Sequence, residues 1–284
     1  MQKKQCLIFI STGWGKKYGG INTFNAEICK ALKSILPEYY HIICICPEVD
    51  QNTFIESTKH NIEIYYTKKF DKHDDVVNDI LFFLKSKKYN NISWWVGHDV
   101  TTGFIAHRCK IESHKGKLAI FHHMSFINYT GFKHKNGKSV IDRSNEQRDI
   151  LSKSDIILSI GPKLFHSAQN LINNKSIAIK QITPGLMEIA PTQAKEPFQA
   201  IVVGRLGNTD DIIKQFKLSV AAFAHALKRY NQLFSHDDRI ILFGVPENES
   251  EDTYKELQEL AHSRAERLVN ERWSPLTGQE VAVS

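Results

Sequence analysis

Four groups of residues in this 284-residue chain have the types and spacing that chemistry needs. The first is the stretch Gly13-Trp14-Gly15-Lys16-Lys17-Tyr18-Gly19-Gly20, which hands an apolar strand, Cys6 to Ile10 with Ser11, over to a helix from Ile21 to about Leu36. Gly19 and Gly20 at that helix start tolerate positive φ and carry no side chain. Phosphate oxygens can therefore approach backbone N–H groups at the positive end of the helix dipole. The stretch fits neither familiar fingerprint. Three residues separate Gly15 from Gly19 where a dinucleotide loop needs two, and Gly15-Lys16 is not followed by Ser or Thr as in a P-loop. A tight turn is the plainer alternative.

The second group is His98-Asp99, directly after the strand-like Ser93-Trp94-Trp95-Val96. In open α/β sheets ligands bind beyond the carboxyl ends of strands, so this pair is expected to face a cleft, where it would bind a sugar or an acceptor. Asp99 could instead cap the helix that follows. The third group is Phe121-His122-His123-Met124-Ser125, again after an apolar strand. An imidazole there can hydrogen bond a sugar hydroxyl or a phosphate, and adjacent histidines point in different directions, which argues against a metal pair. The fourth is Val203-Gly204-Arg205-Leu206 with Lys214 nine residues on: a guanidinium to grip a diphosphate bidentately and a point charge beside it.

Strand and helix patterns alternate through most of the chain, which predicts an α/β fold with a parallel sheet covered on both faces. Strands are read at 7–10, 41–46, 62–66, 92–96, 118–121, 156–160 and 177–182, and helices at 20–36, 74–88, 101–111, 141–152 and 162–173. Apolar or small residues at Ile21, Phe24, Ile28, Ala31, Leu32 and Ile35 mark the expected buried stripe of the first helix. Residues 1–183 form one doubly wound domain on this reading. A proline-rich linker, 184–197, follows. The pattern restarts over 198–269 as a partial second domain, with a helix over about 212–230 and another over 251–269, and 270–284 reads as an irregular tail. Two strand-helix units are too few for a doubly wound sheet, so the second domain is expected to be incomplete.

A composition of 42% hydrophobic and 24% charged residues suits a soluble globular protein. No apolar run approaches the roughly 20 residues that span a bilayer, and the start runs into a strand and not a signal peptide, so a cytoplasmic location is expected. Residues 1–196 carry 27 lysines and arginines against 18 acids, and the remainder 10 against 13. A basic first part suits an anionic partner, including peripheral contact with the inner face of a membrane. The excess is scattered and no nucleic-acid motif accompanies it, which argues against nucleic acid. The five cysteines lack finger-like spacing and read as buried thiols.

In this order the motifs resemble the retaining GT-B glycosyltransferases of family 4, the group that includes glycogen synthase and phosphatidylinositol mannosyltransferases. Gly19-Gly20 with its helix resembles the family's glycine loop, and Val96-Gly97-His98-Asp99 its strand ending in a His followed by an acid. Ile120-Phe121-His122 resembles the Phe-His whose imidazole lies by the donor. Ser154-Asp155-Ile156-Ile157-Leu158-Ser159 resembles the "SD" strand, Ile182-Thr183-Pro184-Gly185 the hinge, and Arg205 and Lys214 the donor-diphosphate pair. The resemblance implies two Rossmann-like domains and transfer of a sugar from a nucleotide-diphosphate donor to a glycan or lipid-linked acceptor, with retention and with no metal or other cofactor. His122 is then the catalytic imidazole. Gly161 replaces the serine that usually follows the "SD" strand, the hinge lacks its Asn, and the family's paired glutamates would fall beyond Ser284, so a C-terminally truncated member is expected. The alternatives are a non-catalytic module that binds nucleotide, glycan or a protein partner, and a GT-B enzyme such as a nucleotide-sugar epimerase.

Overall fold

The computed structural model describes residues 4–49, 51–70, 73–129, 140–172, 174, 176–185, 198–203, 216–235, 238–243, 255, 259, 275–276 and 280–283. Contacts divide the chain into two units, 1–186 and 187–284. The first is built on seven parallel strands: β1 (Gln5–Ile10), β2 (Tyr40–Cys46), β3 (Ile62–Tyr66), β4 (Ile92–His98), β5 (Lys117–His122), β6 (Ile156–Ile160) and β7 (Ala178–Ile182). They lie in the order β3-β2-β1-β4-β5-β6-β7. Helices α1 (Gly20–Ile35), α2 (Gln51–Lys59), α3 (His73–Ser86), α4 (Thr101–Ser113), α5 (Phe126–Tyr129), α6 (Val140–Ser152) and α7 (Pro162–Leu171) connect them.

The central strands are apolar at consecutive positions because both faces of the sheet are covered. Cys6, Ile8 and Ile10 of β1 and Leu118 and Ile120 of β5 pack with Val76, Ile80, Ile105 and Ile150 on one face. Leu7, Phe9, Ala119 and Phe121 pack with Ala26 and Cys29 of α1 on the other. From β1 the chain runs outward to β2 and β3, then crosses back to β4 and continues to β7. The direction of winding reverses between β1 and β4, and at such a point the loops leaving the carboxyl ends part to leave a crevice.

α1 buries a different stripe from the one its apolar residues predict. Asn22, Asn25, Ala26 and Cys29 face the sheet, Phe24, Ile28 and Leu32 flank them, and Ile35 is 75% exposed. Two buried asparagines are costly unless their amides are satisfied. α2 is absent from the pattern reading, because Gln-Asn-Thr-Phe-Ile-Glu-Ser-Thr-Lys is too polar to show a helical period.

The β4–α4 junction is drawn tight by a pair of glycines. A Cβ on Gly97 would stand 2.7 Å from the Cα of Gly103, and one on Gly103 would stand 3.1 Å from side-chain atoms of Ile120 and Ile150. Asp99, between them, has φ 46°, a left-handed conformation that Asp tolerates better than most residues. Its carboxylate does not cap α4, which starts after Val100 without a side-chain cap.

In the second unit, β8 (Gln199–Val203) pairs in parallel with β9 (Arg239–Phe243), and α8 (Phe216–Arg229) lies between them in sequence. The Asp238 carboxylate accepts N–H bonds from Phe198 (2.6 Å) and Ser235 (2.7 Å), tying the start of β8 to the turn before β9. The expectation of an irregular tail over 270–284 is corrected. β10 (Pro275–Leu276) and β11 (Glu280–Val283) form an antiparallel hairpin, and β11 pairs along β9 in the order β10-β11-β9-β8. Four residues of strand are too short to show a period. The helix read over 251–269 lies outside the described residues except Lys255 and Glu259.

Gly97→Ala is expected to destabilise the first unit by about 1–3 kcal/mol, since the methyl meets backbone that cannot rotate away. Gly161→Ala meets open space but φ +80°, so it measures backbone strain alone. Denaturant midpoints for the two variants check this, and a wild-type midpoint for Gly97→Ala contradicts it.

Candidate functional site

The loop after β1 is held by Asn22. Its Oδ1 accepts the N–H of Gly13 (3.1 Å) and its Nδ2 donates to the carbonyl of Tyr18 (2.7 Å), so one buried side chain braces both ends of the turn. Gly13 lies against the Tyr18 ring, where a Cβ would stand 2.7 Å away. Gly19 has φ 91° and ψ 175°, a conformation closed to other residues, and its carbonyl accepts both the N–H (3.0 Å) and the hydroxyl (3.1 Å) of Thr23. Gly20 differs from these. It opens α1, and a Cβ there would meet nothing within 4 Å. The first amides of a helix have no intrahelical acceptor.

Across the switch point, α1 is joined to β4 and β5 by a buried hydrogen-bonded chain. His98 ends β4 on the α1 side, with Nε2 2.9 Å from Asn25 Oδ1 and Nδ1 2.9 Å from His123 Nε2. Asn25 Nδ2 donates to Cys44 Sγ on β2 (3.3 Å), Cys44 Sγ lies 3.5 Å from Ser11 Oγ, and the Ser11 hydroxyl donates to the Gly13 carbonyl (2.8 Å). His98 is buried, and that burial, with the nearby His123, holds it well below the usual imidazole range, so it is neutral. Burial likewise lowers His123. Phe24 meets the His123 ring edge-on, with centroids 5.1 Å apart.

His122 lies on the opposite face, because successive strand residues alternate. Its Nδ1 is 3.1 Å from Asp99 Oδ1, so a carboxylate backs the imidazole. Asp99 also accepts the N–H of His123 (3.1 Å) and the Gln147 amide (3.3 Å). Gln147, on α6, further donates to the Met124 carbonyl (2.7 Å) and accepts the N–H of Phe126 (3.1 Å), so it fixes the chain leaving β5. The other nitrogen, His122 Nε2, is buried with no partner among the described residues. The same holds for the hydroxyl of Ser159, which pairs with His122 across β5 and β6. An unpaired buried polar atom costs about 1–3 kcal/mol, so it marks a place that a further group completes.

The structure thus brings Gly19, Gly20, His98, Asp99 and His122 to the carboxyl ends of β1, β4 and β5. His98 differs from its expected part: with both ring nitrogens engaged beneath the surface, it supports His123 and has none left for a sugar. Asp99 is similarly occupied, backing His122. Arg205 and Lys214 lie outside the described residues. Asn22, Asn25, Gln147 and Ser159 were not singled out in sequence. Only the placing of two asparagines on the sheet-facing side of a helix beside a glycine loop signals the first two. All five cysteines are buried free thiols, as expected. Among the described residues no group of three or more His, Cys, Asp or Glu is placed to hold a metal, and no helix is long and apolar enough to cross a membrane.

Residues 8–276 match the family described as Family 4 Glycosyltransferase in conflict systems. Among solved structures, HepE of Anabaena, in complex with UDP and glucose, superposes with a TM-score of 0.58 at 13% identity, over 93% of this chain and 67% of that one. Sucrose-phosphate synthase of Thermosynechococcus elongatus gives 0.58 at 13% identity over 92% and 69%. A UDP-glucosyltransferase of Polygonum tinctorium gives 0.55 at 11% over 93% and 69%. Identities this low show the fold, which is GT-B. The chain spans about two thirds of the length of these structures. No curated protein matches it.

Stability is expected to fall on acidification. Below about pH 6.5 the unfolded chain binds protons at His98 and His123 that the folded chain refuses, so folding weakens by up to about 1.4 kcal/mol per pH unit per group. His98→Gln removes one of these groups and should flatten the fall in melting temperature between pH 7.5 and 5.5. An unchanged slope contradicts the burial of a neutral His98.

Proposed function

The chain belongs to the family 4 glycosyltransferases of conflict systems, and from that premise we propose that it handles a nucleotide-diphosphate sugar and transfers the sugar, with retention of configuration, to a glycan or lipid-linked acceptor. The observation that carries this reading is His122: an imidazole backed by a carboxylate at the carboxyl end of β5, whose Nε2 is buried with no partner among the described residues. With Nδ1–H donating to the Asp99 carboxylate, the neutral ring leaves Nε2 as a lone pair. A sugar hydroxyl is the natural group to complete it.

The leaving diphosphate gains negative charge as the glycosidic bond breaks, so its stabilisation is electrostatic. The first-turn amides of α1 behind Gly19 and Gly20 supply part of it, and the open space over Gly20 lets the phosphate approach. Arg205 and Lys214 are proposed to supply the rest. The roles of donor and acceptor are supported by the resemblance, and by solved structures of the same fold that hold UDP and glucose or UDP-glucose. The excess of basic residues in the first part supports an anionic acceptor carrier, such as a lipid phosphate at a membrane surface. No metal is assigned a part in the reaction.

A nucleotide-binding module without turnover is the second reading. What favours it is the second sheet, where among the described residues the parallel pair β8–β9 is extended by an antiparallel hairpin and not by a further parallel strand.

Ligand addition and three substitutions test these readings. Saturating UDP-glucose or GDP-mannose should raise the melting temperature of the whole chain by mass action and alter fluorescence from Trp14, which is buried within the glycine loop. Gly20→Ala should leave stability near wild type while weakening nucleotide binding. Gly19→Ala should cost about 1–3 kcal/mol of stability through its positive φ. His122→Ala should lower sugar transfer about 10²–10⁴-fold with UDP still bound. No response to any sugar nucleotide sinks both readings, and binding without turnover leaves the module.

A further inference from the structure

A groove near the amino ends of β2 and β3 has no part in the sugar-transfer reading. Two cavities of about 470 and 440 Å³ share Lys33, Glu38 and Asn61, so they form one elongated trough bounded by the end of α1, the end of α2 and β3. The glycine loop and His122 stand at the other end of the sheet, about 20 Å away along a seven-residue strand. We propose that this trough is a docking site for an extended acidic segment of a partner protein, which adds to the sheet as a further strand beside β3.

β3 is the outermost strand on its side of the sheet. Successive strand residues point to opposite faces, so a cavity lined by Ile62, Glu63 and Ile64 together runs along the open side of the strand and not over one face. On that side alternate peptide groups have no partner in the sheet. The facing wall is α2, which presents Phe54, Ser57 and Thr58, spaced i, i+3 and i+4 on one side of the helix. Phe54 is 48% exposed. The opposite edge strand, β7, is guarded by an exposed lysine, Lys180, at its centre. β3 has neither lysine nor proline and pairs with β2 without a bulge. Such an edge is open to a further strand, and main-chain hydrogen bonds supply the affinity.

Charge selects the occupant. Lys4, Lys33 and Lys59 line the trough, and among the described residues none of them pairs with an acid; Lys33 Nζ donates to the Tyr40 carbonyl (3.0 Å). Lys30 differs, because Glu27 and Glu56 hold its ammonium group. Two acids belong to the lining. The Glu63 carboxylate is already held, accepting from the Tyr89 hydroxyl and from His41 Nε2 (2.7 Å), which leaves Glu38 alone against three ammonium groups. Leu36, Phe54, Ile62 and Ile64 supply apolar surface between the lysines. An extended chain turns alternate side chains to opposite sides, so the segment that fits alternates acidic with apolar residues. A second copy of β3 is a poor fit, because it brings the same lysines to the same trough.

The test uses the whole chain and a fluorescein-labelled peptide of alternating glutamate and valine, followed by anisotropy at low salt. Only one edge of an added strand faces β3. N-methylation of one alternate set of peptide nitrogens should therefore weaken binding about tenfold, and methylation of the other set less than about twofold. Lys33→Glu together with Lys59→Glu should weaken binding about tenfold, while the thermal shift with UDP-glucose stays as in wild type. Hydrogen exchange at the amides of Glu63 to Tyr65 should slow in the complex. Equal affinity for the two methylated peptides, or unchanged exchange in β3, marks a general anion site and overturns the inference. Absence of binding at about 1 mM peptide overturns it as well. Neither result touches the sugar-transfer reading, whose probes are sugar nucleotides.

Discussion

The hydrogen bond between Asn25 and His98 crosses the place where the sheet changes its direction of winding, and much of the site is arranged around it. On one side is α1, whose position carries the glycine loop; on the other is β4, whose last residue is His98. A buried amide facing a buried imidazole is tolerable only if both ends of both groups are satisfied. Cys44 satisfies the amide nitrogen and His123 the second imidazole nitrogen. The requirement to pair every atom thus extends outward from one contact. It reaches the Gly13 carbonyl in one direction and the ligand-facing edge of β5 in the other. Local geometry at the loop and at β5 is in this sense a single polar network inside an otherwise apolar core.

The alternation of strand residues gives the two faces of the sheet separate tasks. On the α1 face burial keeps the two imidazoles of the network neutral. On the α6 face a carboxylate, Asp99, stands behind His122 and is itself steadied by Gln147. Adjacent histidines can have such different surroundings only because the pleat sends them to opposite sides. One backbone bond links the two clusters, the N–H of His123 to the Asp99 carboxylate, so the position of the charged cluster fixes the end of β5 that carries the neutral one.

Much of the architecture was legible in sequence because it rests on runs of apolar residues: all seven parallel strands and the glycine handover at α1 follow from pattern alone, β7 (Ala178–Ile182) being written more weakly than the rest. The glycine loop and the ends of β4 and β5 were legible as sites for the same reason, since they stand at strand ends. What pattern reading missed is polar. Asn22 and Asn25 occupy positions that a hydrophobic stripe assigns to Ile21 and Phe24, and the stripe turns by about one residue to bury them. Gln147 sits in the middle of Val140–Ser152 among charged residues, and nothing in its neighbours says that it reaches back to the turn after β5. α2 and the hairpin β10–β11 failed for another reason: one is too polar and the other too short to show a period.

The glycines of the loop make the final distinction between folding and function. At Gly13 the Tyr18 ring excludes a side chain, and at Gly19 the backbone conformation does so, which means that the fold alone accounts for both. Gly20 has neither constraint. It starts a helix with open space where a Cβ would be, at a position where alanine would serve the helix at least as well. Stability therefore gives no reason for glycine at that position. The remaining physical reason is an object outside the chain that must come close to the backbone, and the exposed amides of a helix start favour an anion. Within the loop, Gly20 is the residue whose smallness the fold leaves unexplained and a bound phosphate explains.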